Sequence, residues 1–171
     1  MSNVAIIGAG YVGLTTAACL AHIGHNVTCA DIDENKISQL NDGEIPIHEA
    51  RLPELVQEGL SNQLLKFVVG AKRAITASEF VFLCLPTPQG EDGRADIGAV
   101  LDVVEEIRQL VLPQTIIINK STVPIGTVAS IETAIQREDV SVVSNPEFLR
   151  EGGAVTDFLQ PDRIVIGATS N

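Results

Sequence analysis

Largely apolar runs at residues 4–7, 26–30, 65–69, 80–85, 115–119, 140–144 and 164–166 punctuate this chain, and several carry no polar alternation at all. An alternating strand has one wet face, whereas a continuous apolar run is buried on both, so these segments predict strands of a parallel sheet covered on either side. Between them the apolar positions fall at helical spacing. Residues 14–23 and 34–40 read as helices, and Ile97, Val100, Leu101, Val104, Ile107 and Val111 share one helical face behind a capping Asp96. Asp102, Glu105, Glu106 and Arg108 occupy the opposite face. Strand and helix alternate throughout, which predicts an α/β fold, a doubly wound parallel sheet with helices on both faces.

The first strand runs straight into Gly8-Ala9-Gly10-Tyr11-Val12-Gly13, and a helical stretch follows at once. In that context Gly8 serves a tight turn, Gly10 lets the backbone approach a pyrophosphate, and Gly13 lets the helix pack closely on the strand. The free N–H groups and positive dipole end of the helix then face the phosphates. Asp31 stands eighteen positions after Gly13, at the end of the second strand, where a carboxylate can accept both ribose hydroxyls of NAD and repel the 2′-phosphate of NADP. Ile32 and Asp33, which follow, supply no arginine for that phosphate. Asp31 could instead cap the helix at 34–40, but Asp33 suits that task equally well. The expectation is a Rossmann-type fold that binds NAD.

Length and composition narrow the class. A chain of 171 residues makes one domain. Its apolar runs are too short to span a bilayer, and the first strand begins too early to leave room for a signal peptide, so a cytoplasmic protein is expected. A formal charge of −11 argues against nucleic acid or an anionic membrane as partner, since both need a basic patch. Cys19, Cys29 and Cys84 lie inside apolar segments and read as buried thiols in a reducing compartment, without a catalytic role. His22, His25 and His48 show no metal-ligand spacing and read as surface residues. The loop at 86–95, with two glycines and two prolines, is expected to be the most mobile segment.

Ligands of open parallel sheets bind beyond the carboxyl ends of the strands. Those ends carry the glycine loop, Asp31, Thr87, Ser121-Thr122 and Asn145-Pro146-Glu147, which predicts that five strand ends converge on one crevice. The hydroxyls could hold a nicotinamide or a reactive water, and Glu147 is a candidate for proton transfer. Thr87 and Thr122, each close to a proline, could equally be turn and cap residues.

The run Ser144-Asn145-Pro146-Glu147-Phe148-Leu149-Arg150-Glu151-Gly152, followed by Pro161-Asp162-Arg163-Ile164-Val165-Ile166-Gly167, closely resembles the UDP-glucose/GDP-mannose 6-dehydrogenase family. The glycine fingerprint, Asp31 with Lys36, Leu85-Pro86-Thr87-Pro88, Ala95-Asp96 and Lys120-Ser121-Thr122-Val123-Pro124 match in the same order, so the resemblance covers the whole chain. It looks most like the UDP-glucose branch, with the GDP-mannose and UDP-N-acetylmannosamine branches as near alternatives.

The resemblance implies an NAD-dependent four-electron oxidation of a nucleotide sugar's primary alcohol to a carboxylate, through a covalent thioester. By the same resemblance the loop of Gly8, Gly10, Tyr11, Val12 and Gly13, with Asp31 and Lys36, holds the adenosine half of NAD. Thr87, Ser121, Thr122 and Glu151 line the nicotinamide side, while Glu147, Phe148, Leu149, Arg150 and Glu151 meet the nucleotide sugar. Glu147 is implied as the base for thioester hydrolysis, with the Thr122 hydroxyl positioning the water. The family's nucleophilic cysteine lies in a glycine-flanked motif that none of the three cysteines here matches. Residues 1–171 are therefore expected to be an N-terminal NAD-binding domain without the central helix and UDP-binding domain, and the longer protein is expected to form a homodimer or larger assembly. A freestanding NAD-binding module without catalysis is the rival reading. A hydroxyacid or hydroxyacyl-CoA dehydrogenase would leave the 144–152 run unexplained.

Overall fold

A computed structural model of the protein describes residues 1–90 and 93–168. Glu91 and Asp92, within the 86–95 segment expected to be mobile, lie outside the described residues, as do residues 169–171. The elements run β1 (Asn3–Ile7), α1 (Tyr11–His22), β2 (Asn26–Asp31), α2 (Glu34–Asn41), α3 (Leu52–Ser61), β3 (Leu65–Val69) and α4 (Ala71–Ala74). They continue as β4 (Phe80–Leu83), α5 (Gly98–Ile107), β5 (Ile116–Asn119), α6 (Thr127–Ile135), β6 (Ser141–Ser144), α7 (Ala154–Leu159) and β7 (Gly167–Ala168). They form a single seven-stranded sheet in the order β3-β2-β1-β4-β5-β6-β7. All strand pairs are parallel except β6 with β7.

Side chains on a strand point to alternate faces, and β1 shows the result most clearly. Val4 and Ile6 enter a core with Leu14, Ala17 and Ala18 of α1, Leu52 and Val56 of α3, and Val155 of α7. Ala5 and Ile7 enter a second core with Val100 and Val104 of α5 and Ile131 and Ile135 of α6. The predicted burial of both faces is thus met. Small side chains let α1 lie close to the sheet, and Gly13, Ala17, Ala18 and Ala21 are all buried on it.

Three expectations from the sequence are corrected. The apolar run 164–166 is not a strand: Ile164, Val165 and Ile166 are exposed, and among the described residues this segment pairs at Gly167–Ala168, antiparallel to β6. A run of three apolar residues cannot by itself reveal which part will find a partner edge. The run 80–85 forms a strand only to Leu83: the Cys84 N–H still bonds to Ile7, but Cys84 and Leu85 line a cavity instead of continuing the strand. The helix expected behind Asp96 begins at Gly98 and ends at Ile107, although the Asp96 carboxylate still accepts the Gly98 N–H at 2.8 Å. Val111 is buried beyond that end, whereas Leu101 is only partly buried.

Candidate functional site

Each of four neighbouring strands extends its hydrogen bonding one residue past its end. Gly8 N–H donates to Ala30, Cys84 to Ile7, Lys120 to Leu83 and Asn145 to Asn119, at 2.8, 2.8, 3.0 and 2.9 Å. The loops that carry the expected site residues therefore all depart from one rigid row at the carboxyl edge of the sheet. Beside the row lies a cavity of about 850 Å³, the size of a cofactor pocket. Gly8, Gly10, Tyr11, Val12, Asp31 and Lys36 line it on one side, and Cys84, Leu85, Pro86 and residues of α5 on the other.

The three glycines meet three different constraints. Gly8 sits at φ +101°, and a Cβ there would lie 2.4 Å from the Cys84 carbonyl oxygen. At Gly13 a Cβ would lie 1.8 Å from the Gly8 carbonyl oxygen, so the loop closes on the helix only without a side chain. Gly10 differs: among the described residues a Cβ would meet no atom within 4 Å. The space in front of it belongs to the cavity. No side chain caps α1 and its first turn holds no acidic residue, so its N–H groups point into that space unneutralised. By contrast α2 is capped by Asp33, which accepts from the N–H groups of Asn35 and Lys36. Both observations fit a pyrophosphate resting on the glycine loop, and they leave Asp31 free of a capping role.

The Asp31 carboxylate is more occupied than its position in the sequence suggests. Its Oδ2 accepts the Ala9 N–H and the Lys36 ammonium, each at 2.9 Å, and its Oδ1 accepts the Asp33 N–H at 3.1 Å. Burial alone would raise its pKa, but the Lys36 ammonium and the two main-chain donors outweigh that and hold it below the ordinary carboxylate value. With four lone-pair positions and three donors, one position on Oδ1 stays open, so the carboxylate as it stands accepts one further hydroxyl, not two. Accepting both ribose hydroxyls requires one of the three present donors to give way.

The remaining expected residues share the carboxyl edge but lie outside the cavity lining. The Thr87 hydroxyl donates to the Thr122 carbonyl at 2.7 Å and the Ser121 hydroxyl to the Leu85 carbonyl at 2.7 Å, so each side chain ties its loop to the main chain of the other. The structural reading of Thr87 gains from this. Thr122 itself is exposed. Glu147 accepts the Leu149 N–H at 2.6 Å, and its charge acts on Cys84, Lys120 and Tyr11. Arg150 is turned to Asp157 through Nε at 3.1 Å and Nη2 at 2.6 Å, and the pair holds the Asp157 carboxyl down at about 2. Phe148 is half exposed beneath Arg163, whose guanidinium carbon lies 4.9 Å from the ring centroid. Leu149 is half-buried and Glu151 exposed.

Two further polar groups are buried here, Lys120, which lies in a matched motif but has no role assigned by the sequence, and Glu49. Lys120 is buried, donates to Asn145 Oδ1 at 3.2 Å and lies over the Phe158 ring, and burial lowers its pKa. Glu49, only 6% exposed, accepts three hydrogen bonds from two distant segments of the chain. Nothing in the local pattern around Glu49 separates it from a surface glutamate, because its partners lie far away in sequence. The three cysteines are buried as expected, and desolvation pushes the Cys19 and Cys84 thiols up to about 12, which makes them poor nucleophiles. Among the described residues no group of three or more His, Cys, Asp or Glu could hold a metal ion, and no helix is long and apolar enough to cross a membrane.

Residues 2–171 match the NAD binding domain of the UDP-glucose/GDP-mannose dehydrogenase family. The chain is 47% identical over 170 residues to a UDP-glucose 6-dehydrogenase of Rhizobium meliloti, covering 96% of this chain and 39% of that protein. Among solved structures it is similar to a UDP-glucose dehydrogenase from Pyrobaculum islandicum, with TM-score 0.90 and 37% identity over 99% of this chain and 41% of that one. A GDP-mannose dehydrogenase from Pseudomonas aeruginosa, solved as a ternary complex, superposes with TM-score 0.89 at 34% identity, over 98% of this chain and 41% of that one. The chain thus spans about two fifths of the length of the relatives it matches.

Proposed function

The chain belongs to the UDP-glucose/GDP-mannose dehydrogenase family as its NAD-binding domain, and from that premise we propose that it serves the oxidation of UDP-glucose at its primary alcohol. The observation that carries this reading is the open space before Gly10, at the uncapped start of α1, in a cavity whose rim includes Asp31. NAD, when bound, supplies the hydride acceptor.

The chain's own residues bind and orient. The N–H groups at the start of α1 receive the pyrophosphate, and Asp31 takes a ribose hydroxyl on its open Oδ1 position. Thr87 and Ser121 hold the β4 and β5 loops together beside the nicotinamide. Glu147 serves as the base, with the Thr122 hydroxyl holding the water it activates. Glu147 through Glu151 face the sugar, and Arg150 acts from its pairing with Asp157. In this proposal the covalent steps belong to those parts of the relatives that lie outside the matched region, together with most uridine contacts. Identity with the Rhizobium meliloti relative supports UDP-glucose over GDP-mannose or UDP-N-acetylmannosamine as substrate.

Titration of the 171-residue chain with NAD and NADP, followed by addition of UDP-glucose, tests the proposal. NAD binds in preference to NADP, and no NADH forms. Equal affinity for the two cofactors removes the role of Asp31, and NADH formation by the chain alone overturns the assignment of the covalent steps.

A further inference from the structure

The Glu49 carboxylate joins the glycine loop to the 150–154 turn. Its Oε2 accepts the Tyr11 hydroxyl at 2.6 Å and the Gly152 N–H at 2.8 Å, and its Oε1 accepts the Ala154 N–H at 2.9 Å. Burial raises the Glu49 pKa, but the Tyr11 hydroxyl and the main-chain N–H groups outweigh it and hold the carboxylate below its ordinary value. Tyr11 begins α1 and lines the cavity, and its oxygen also lies 3.1 Å from the Arg150 carbonyl oxygen. The single hydroxyl proton faces two acceptors, and the shorter approach to the anion takes the larger share.

The main chain of Glu151 is therefore pinned on both sides. The Arg150 carbonyl before it faces Tyr11, and the Gly152 N–H after it is held by Glu49. Gly152 lies at φ +81°, so the turn reaches its position through a conformation that costs other residues strain. An anchoring role for α7 alone would need only the Ala154 N–H. The Tyr11 and Gly152 bonds have no such explanation.

We propose that Glu49 is a positioning residue for cofactor engagement: with Tyr11 it fixes the Glu151 turn against the glycine loop, so that the two move as one body. This rests on the NAD-binding reading above.

Amide hydrogen exchange of the full 171-residue chain, with and without NAD, tests it in the wild type, Glu49→Gln and Tyr11→Phe. Glutamine matches the glutamate in shape but turns an N–H donor toward main-chain donors. Without NAD, Glu49→Gln speeds exchange of residues 150–155 about tenfold while β1–β4 are unchanged. With NAD, the wild type gains protection in both the 8–13 loop and the 150–155 turn, whereas Glu49→Gln gains it only in the loop and binds NAD about threefold to tenfold more weakly. Tyr11→Phe, which removes one oxygen and keeps the ring, shifts both readouts in the same direction by less, and decides the matter if Glu49→Gln does not fold. Retained NAD-linked protection of the turn in both variants overturns the proposal. Absence of NAD protection in the wild-type loop overturns the cofactor reading instead, and the exchange of 150–155 without NAD still shows whether Glu49 holds the turn.

Discussion

The two ends of the crevice leave the same row of strand ends, yet they are held in opposite ways. At the glycine-loop end, Ala9, Asp31, Asp33 and Lys36 bond one another around a defined cavity. At the far end, Thr122 is exposed, Phe148 is half exposed and Ile164 to Ile166 lie on the surface. Local sequence suffices to build the first end, because its bonded partners all lie between the end of β1 and the start of α2. The second end draws on β4, β5 and β6 together, and its polar groups bond mostly to neighbouring main chain.

The comparison breaks most severely at Gly13. Gly13→Ala sets a methyl against the Gly8 carbonyl, which should cost about 3 kcal/mol in urea unfolding and abolish NAD binding. Wild-type stability in that variant would mean the loop tolerates a shift, and the first end is not rigid. Next comes Asp31→Asn, which removes a charged acceptor from Lys36 and from a ribose hydroxyl; NAD affinity measured by titration should fall by about 1–3 kcal/mol and discrimination against NADP should relax.

The same carboxylate gives the pH dependence its sign. The folded pKa of Asp31 is lowered, so the native state binds its proton less readily than the unfolded chain does, and the stabilisation is complete above the ordinary carboxylate pKa of about 4. It is lost as pH falls through the lower folded value. Urea midpoints measured from pH 7 downward should drop below about pH 4, and Asp31→Asn should flatten that drop.

Gly10→Ala sharpens the contrast by separating binding from stability. No atom of the described residues opposes the added methyl, so unfolding should change by less than about 0.5 kcal/mol while NAD affinity falls about tenfold, or about 1.4 kcal/mol. The smallest effect belongs to the far end, where Thr122→Ala in this chain should leave both stability and NAD affinity within about 0.5 kcal/mol, as thermal melts and titration would record.

Most of the fold was legible because burial on both faces writes itself into continuous apolar runs, and the six parallel strands fall where those runs lie. The failures have physical causes. Cys84 and Leu85 prolong the fourth run because a cavity wall, like a strand, favours apolar side chains. The run 164–166 mimics a strand but finds no edge, and β7 forms at a glycine and an alanine that carry no pattern. At the site, spacing located Asp31 but could not reveal that Lys36 already occupies part of it. Glu49 was invisible, since a bond from residue 49 to residue 152 depends on the finished fold.

The bonds that extend each strand by one residue have a further consequence for how such a domain can change over time. Gly8, Cys84, Lys120 and Asn145 mark the boundary between what the sheet dictates and what it leaves free. Insertions beyond that boundary alter which molecules are recognised and leave the scaffold intact, whereas a single residue added inside β1 would exchange the contents of its two cores and destroy both.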